Sequence, residues 1–358
     1  MKRLGLVTWV VVPALLLAVA LWGSGTPPAD AQQQAPKPAE APKKPEPAKP
    51  AAAAPAKKLR VVSIFQTPIE EPWDGAIHQA LLRAQKELGI QYEWTEKVSG
   101  ADFERVVREY ADKGYDLVMG DAFGQEQAAR RVAKAYPKIK FLFGSGLGPA
   151  QPNFGVFDDW IHEPAYISGM IAGKLTKSNV LGVVGGHPVP EVNRLINAFR
   201  EGAREANPSV KLKVAFIGSW FDPPKTKEAA LAQIEAGADL LYGERYGVID
   251  AAKERGKLAF GNLLDQQQLA PDTVITGPVW DMYPLVKFAV ESTRRGTFVA
   301  MDYAEWTMMQ KGGAKLAPLR QWEQKLPKDV VEMVKKREAE IRSGLFRVPV
   351  DESTPKSD

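Results

Sequence analysis

Two successive series of short β-rich runs, each alternating with amphipathic runs, constrain the fold of this chain more than any other feature. In the first series, residues 102–113 place Phe103, Val106, Val107 and Tyr110 at the i, i+3, i+4, i+7 spacing of a helix. The second series begins with the strand-like run NVLGVVG at 179–185. We predict strands at 59–65, 91–97, 116–120, 139–143, 154–157, 179–185, 211–217, 239–242, 258–260 and 274–279, and helices at 73–88, 102–113, 125–136, 163–175, 190–206, 224–235, 247–255, 283–295 and 330–343.

This alternation predicts an α/β fold. A strand, a helix and a second strand in succession form a right-handed crossover in a parallel sheet. Two series of similar size within 358 residues predict two doubly wound lobes rather than a single core. Ligands of such sheets bind beyond the carboxyl ends of the strands. The natural site is therefore the cleft between the lobes.

The N-terminus is typical of an exported protein. Lys2 and Arg3 precede an uncharged, mostly apolar run, and Ala29 to Ala31 form a small-x-small cleavage site. We predict a signal peptide at 1–31, cleaved after Ala31, and a periplasmic location. An uncleaved membrane anchor is the alternative. Residues 32–58 are rich in Pro, Ala and Lys, lack aromatic residues and predict a disordered linker.

Charge and composition exclude several classes of function. The formal net charge is +4, but residues 32–58 alone carry six Lys and two Glu. The basic balance therefore lies in the linker and gives no reason to expect nucleic-acid binding. The chain has no Cys and three scattered His, so we expect no disulfide, cofactor or metal centre. Catalytic motifs such as G-x-S-x-G and H-E-x-x-H are missing from the sequence, and we predict no enzyme.

Four stretches resemble the basic membrane protein (Bmp) family, the purine-nucleoside-binding type of ABC-transporter substrate-binding protein. They begin GVFDDWIHEPAYISG at 155, VPEVNRLINAFREG at 189, GSWFDPPKTKEAAL at 218 and AFGNLLDQQQLAP at 259. The resemblance extends over about residues 59–320. It implies the type I periplasmic-binding fold, with two doubly wound parallel-sheet lobes joined by a three-segment hinge.

The resemblance also implies the lobe boundaries. Crossings are expected near Thr176–Asn179, Gly277–Asp281 and Val299–Glu305. The N-terminal lobe would comprise 59–177 and about 279–300. The C-terminal lobe would comprise 178–278 and about 301–346, and 347–358 would form a disordered tail.

Aromatic residues at strand ends suggest how a flat ligand is held. Trp73 follows the first strand, and Trp220 ends the strand KLKVAFIGSW. The resemblance implies that these two residues sandwich a purine base between the lobes, since offset stacking favours such an arrangement. The alternative is that each tryptophan caps the core of its own lobe.

Polar candidates lie in the same loops. Asp121 ends the third strand, where its carboxylate can accept from a ring N–H or amino group, or can instead cap the helix that follows. Asp265 matches an acidic position of the family. Glu244 and Asn193 are further candidates for ligand binding.

Two departures from the family pattern favour a free base such as adenine over a nucleoside. Many relatives have an acidic, glycine-containing loop after the first strand, where this chain has Gln66 to Ile69. Relatives also carry a Lys where this chain has Trp280. Both are ribose contacts in the family, and Trp280 could instead enclose a smaller, flatter ligand.

The predicted protein is therefore a monomeric, periplasmic receptor that delivers a purine to an ABC permease. Two other interpretations of the function stay open. The chain could be a soluble or membrane-tethered sensor that acts through a signalling partner, or a receptor for a different small aromatic solute.

Overall fold

The computed structural model describes residues 58–358, in which two parallel sheets each carry their own helices. The predicted signal peptide and all of the predicted linker before Lys58 lie outside the described residues. The first sheet has the order β2-β1-β3-β4-β5. Its strands are β1 (Arg60–Ile64), β2 (Gln91–Thr95), β3 (Leu117–Asp121), β4 (Lys140–Gly144) and β5 (Phe154–Phe157), and its helices are α1 (Pro72–Leu88), α2 (Ala101–Asp112) and α3 (Glu126–Ala135).

The second sheet repeats the arrangement with the order β7-β6-β8-β9. Every strand pair in both sheets is parallel, so the prediction of two doubly wound lobes is confirmed. The strands and helices of the second sheet are α4 (His162–Leu175), β6 (Val180–Gly185), α5 (Pro190–Ala206), β7 (Lys211–Phe216), α6 (Pro223–Glu235), β8 (Leu240–Gly243), α7 (Val248–Glu254) and β9 (Leu258–Phe260).

The remaining elements connect the two sheets. Strand β10 (Pro278–Trp280) pairs antiparallel with β11 (Ala314–Leu316), so only the end of the predicted strand at 274–279 is regular. Helix α8 (Tyr283–Arg295) packs on α1, and Met301 and Tyr303 pair with Val156 of β5. Two helices, α9 (Trp322–Lys325) and α10 (Lys328–Arg342), follow, and α10 packs on α4.

Helices α4 and α5 pack at unusually short range because glycine lies at their crossing. A Cβ atom on Gly169 would lie 2.0 Å from the carbonyl oxygen of Phe199, and one on Gly202 would lie 2.0 Å from that of Tyr166. Helix α4 therefore packs with the second sheet's helices. We accordingly propose that the first crossing lies at residues 158–161, ahead of α4, rather than near Thr176–Asn179. We call the first sheet with α1–α3 and α8 the first lobe, and the second sheet with α4–α7 and α10 the second lobe.

Residues 351–358, which we call the C-terminal strap, make defined contacts, although the sequence predicts a disordered tail at 347–358. The backbone N–H of Asp358 donates to the carbonyl oxygen of Leu212 over 3.0 Å, at the free edge of β7. On α5, Asn197 donates to the carbonyl oxygens of Asp351 and Ser353. The strap thus has partners that composition alone does not reveal, because amide side chains of a distant helix satisfy its backbone.

No helix among residues 58–358 is long and apolar enough to cross a bilayer.

Candidate ligand-binding cleft

A small cavity lies where the carboxyl ends of the two sheets face each other. Side chains of the two lobes meet across it, Glu71 with Arg245 and Phe123 with Trp220, so the lobes are closed on each other. The first lobe contributes Thr67, Glu71, Trp73, Asp74, Asp121, Phe123 and Ser145, and the second lobe contributes Glu191, Trp220 and Arg245.

The start of α1 positions three of these side chains. Glu71 is the N-cap of the helix, and its carboxylate accepts from the backbone N–H groups of Trp73 and Asp74. Pro72 follows the cap in the first turn, where its missing N–H is tolerated. The sequence EEPWD therefore builds one rigid helix end that holds two acids and an indole against the cavity.

Trp73 lies both in the wall of the cavity and in the core of the first lobe. Its ring stacks on Phe157 with centroids 5.8 Å apart and an interplanar angle of 14°. Trp280 packs beside it at 5.0 Å, behind the cavity wall. Only 6% of Trp73 is exposed, so this residue packs in the core of the first lobe as well as lining the cavity.

Trp220 faces a different aromatic residue of the first lobe. The ring of Phe123 meets it edge to face at 5.1 Å and 88°, across the cleft. His187 packs at 4.7 Å from the same indole, and the guanidinium of Arg245 lies 4.9 Å from its centre. Phe123 is therefore the aromatic group that opposes Trp220 in the closed cleft.

A buried ion pair joins the two lobes. Arg245 Nη1 donates to Glu71 Oε1 over 2.9 Å, and the same guanidinium makes a bidentate contact with Glu244 at 2.6 and 2.9 Å. Glu244 also accepts from the backbone N–H of Gly186. Burial raises the pKa of Glu71, and the charge of Arg245 opposes that rise. The guanidinium of Arg245 thus has both carboxylates as partners.

Asp74 and Asp121 place two further carboxyl groups at the cavity. Asp121 accepts from the backbone N–H of Phe123 over 2.8 Å and from Gln66 Nε2 over 3.2 Å. Burial raises the pKa of Asp121 to about 7, opposed by its hydrogen bond from Phe123. Burial and then the charge of Asp121 raise the pKa of Asp74 well above its usual value.

A second acidic cluster lies next to the cavity. Oxygens of Asp158, Asp159 and Glu191 approach within 4.8 Å of one another. Arg194, 2% exposed, donates to Asp158 Oδ2 over 2.7 Å and to Asp159 Oδ1 over 3.3 Å. A buried cation therefore already neutralises this cluster, which spans the first crossing and α5.

The structure brings together some of the predicted site residues and separates others. Trp73, Asp121 and Trp220 line the cavity, whereas Glu244 does not line it but accepts from Arg245, which does. Asp265 does not reach the cavity, because it is paired with Arg320 over 2.5 Å near the surface. Asn193 donates to the carbonyl oxygen of Glu352 in the C-terminal strap.

Several lining residues were not among the sequence candidates, notably Glu71, Asp74, Phe123 and Arg245. Each of them stands within three residues of a candidate, in the runs EEPWD, GDAF and YGER. The sequence therefore indicated which loops line the cavity, those that follow the strand ends, but not which residue of each loop does so.

The profile of the Bmp family, described as ABC transporter substrate-binding protein PnrA-like, matches residues 58–341. The chain belongs to the Bmp family. A purine-binding protein of Brucella abortus is 34% identical over 80% of this chain and 82% of its own length. A putative ABC transporter glucose-binding protein of Haloferax volcanii is 32% identical over 72% of this chain and 66% of its own length.

Solved structures agree with the fold. A solute-binding protein of an ABC transporter from Aeropyrum pernix aligns with a TM-score of 0.70 at 20% identity, over 82% of this chain and 94% of that one. One from Conexibacter woesei aligns at 0.66 and 24%, over 82% and 99%. The Bmp family is described as a family of ABC transporter substrate-binding proteins. The predictions of a type I periplasmic-binding fold and of a receptor rather than an enzyme are therefore confirmed. As a family member, the protein binds a small molecule outside the cytoplasmic membrane for an ABC permease.

Proposed function

We propose that this Bmp-family receptor binds a purine in the inter-lobe cleft, and that it prefers a free base such as adenine to a nucleoside. The observation that carries the proposal is a cavity lined by carboxyl groups and by Phe123 and Trp220, two aromatic rings that meet edge to face from opposite lobes. A flat ring that separates these two side chains gains a stacking face from each. The carboxylates are suited to accept from its N–H groups.

The preference for a base rests on the two ribose contacts that this chain lacks. Gln66 donates to Asp121 and to the carbonyl oxygen of Phe123, so its amide is engaged within its own lobe. Trp280 packs against Trp73 where relatives place a Lys. Neither side chain offers a charged group to ribose hydroxyls.

The relatives support the purine class without fixing one compound. The Brucella abortus protein is named as purine-binding, and a Lactococcus lactis relative, 25% identical over 73% of this chain, is named as nucleoside-binding. The Haloferax volcanii relative is named as a putative glucose-binding protein. We propose further that the receptor is a monomer, released into the periplasm by cleavage after Ala31.

Native mass spectrometry followed by titration calorimetry tests this function. The panel comprises adenine, guanine, hypoxanthine, adenosine, inosine and glucose. We expect a purine to bind and adenine to bind more tightly than adenosine. Binding of glucose alone, or of nothing in the panel at millimolar concentration, would refute the purine assignment while leaving the family unchanged.

A further inference from the structure

Among residues 58–358, one buried carboxylate oxygen of a residue that lines the cavity has no hydrogen-bond partner. Glu71 uses one oxygen for Arg245 and the other for the backbone of α1. Both oxygens of Asp121 accept hydrogen bonds. On Asp74, Oδ2 accepts from the backbone N–H of Thr67 over 3.0 Å and from its hydroxyl over 2.5 Å. Oδ1 of Asp74 is buried and has no hydrogen-bond partner among the described residues.

This oxygen belongs to the site rather than to the core. Asp74 is 1% exposed, yet it is one of the residues that line the cavity. A buried acceptor without a partner is unfavourable by about 1–3 kcal/mol, so a ligand donor placed against it contributes to binding. Thr67 holds the other oxygen in place and so fixes the direction of Oδ1.

The chemistry of the cavity determines whether a ligand amino group or a ligand carbonyl oxygen can lie against Asp74. Asp121 lines the same cavity as Asp74. A ligand N–H placed against Asp74 Oδ1 favours the ionised form of this acid, and in that form the carboxylate accepts hydrogen bonds and repels a carbonyl oxygen. The 6-amino group of adenine carries only N–H donors, whereas hypoxanthine presents a carbonyl oxygen at the same ring position.

We propose that Asp74 is a specificity-determining residue that accepts from the exocyclic amino group of the ligand, so that the receptor selects amino-purines over purines that carry only oxo groups. This inference rests on the proposed purine function and narrows its ligand class. The Asp74→Asn variant is a close test, since the amide oxygen can still accept from Thr67 while the amide nitrogen places a donor where Oδ1 was.

Calorimetric titration of the full chain with adenine, hypoxanthine and unsubstituted purine, which lacks any group at position 6, tests the proposal. For the parent protein we expect adenine to bind at least about tenfold more tightly than either of the others, the ratio expected for one lost hydrogen bond. In Asp74→Asn the adenine preference should fall to about one or reverse in favour of hypoxanthine. Asp272→Asn, which changes an exposed aspartate paired with Lys325, should keep the parental ratio.

The outcomes separate this proposal from the function on which it rests. Equal affinity of the parent protein for the three purines overturns the role of Asp74, even if the variant fails to fold. An unchanged ratio in Asp74→Asn overturns it as well, while the purine function stands. If no purine binds to the parent protein, the proposed function fails and Asp74 loses its role with it.

Discussion

At the scale of single residues, the cleft combines aromatic faces with acids that are unfavourable to bury. Trp220 and Phe123 meet across the lobes, and the carboxyl groups of Glu71, Asp74, Asp121 and Glu191 surround them. The rings offer contact area, and the acids offer directed acceptors. Ligand stacking and proton binding are therefore the two properties that single substitutions should alter.

Trp220→Ala should weaken binding of the cognate purine by roughly 30- to 1000-fold, because truncation of an aromatic residue that anchors a ligand costs about 2–4 kcal/mol. Phe123→Ala should weaken it in the same direction if the ring lies between these two side chains. Trp73→Ala should lower both the affinity and the thermal midpoint, since Trp73 also packs on Phe157.

Calorimetry and thermal unfolding of each variant make the comparison. Phe221→Ala, next to Trp220 but 40% exposed and outside the cavity lining, is the matched control and should bind as the parent does. Parental affinity in both Trp220→Ala and Phe123→Ala would show that the ring is held elsewhere, with Trp73 and Trp280 as the remaining faces.

The raised pKa values of the buried acids predict that the stability of the closed protein depends on pH. Burial raises the pKa of Asp121 from its usual 3.8 to about 7, so its contribution to stability is fully present below pH 3.8 and is lost as the pH rises through about 7. Glu71, Asp74 and Glu191 have raised pKa values too and act in the same direction, while Arg245 opposes this at Glu71.

Thermal unfolding between pH 4 and 8 measures this effect. The midpoint of the parent should fall across this window more steeply than that of Asp121→Asn, which has no titrating group at that position. Coincident profiles for the two proteins would mean that Asp121 is ionised in the folded state without penalty.

At the scale of secondary-structure elements, the crossing of α4 and α5 depends on glycine. Gly202→Ala should destabilise the fold by about 1–3 kcal/mol, because the added methyl group would lie 2.0 Å from the carbonyl oxygen of Tyr166 and the helices must separate. Denaturant unfolding measures this change. Glu201→Ala, an exposed change on the same helix, should shift the unfolding free energy little.

Sequence patterns predicted the secondary-structure elements better than any other feature of the molecule. The alternation of runs predicted β1 to β9 and their helices, because period and turn residues are local properties. It misplaced the regular part of residues 274–279, where pairing with the distant β11 limits β10 to three residues. The C-terminal strap and the pairing of Asp265 with Arg320 were likewise invisible, since each depends on residues far away in the chain.

Prediction of the site likewise succeeded where the signal was local and failed where it depended on distant residues. Strand-end position led to Trp73, Asp121 and Trp220, which line the cavity. It did not lead to Arg245, since only the assembled lobes bring its guanidinium 2.9 Å from Glu71.

At the scale of the whole molecule, the Glu71–Arg245 pair is the contact that should bias the lobes towards closure. Arg245→Gln should open the ligand-free protein, because Glu71 and Glu244 then lose their shared cation and gain from solvation. Small-angle X-ray scattering should show a larger radius of gyration, with weaker purine binding. Arg337→Gln, which removes a more exposed pair with Glu205, should leave the dimensions unchanged. An equally compact Arg245→Gln protein would show that closure does not depend on this pair.

The C-terminal strap has a consequence for how copies of this protein meet one another. Strand β7 is the outer strand of its sheet, and such an edge is a template for intermolecular β-pairing and aggregation. Asp358 and Ser357 occupy the outward-facing backbone groups of Leu212 and Val214. A fusion or substitution that displaces residues 351–358 from β7 would leave this edge open to pairing with other chains, and should therefore lower the solubility of the receptor.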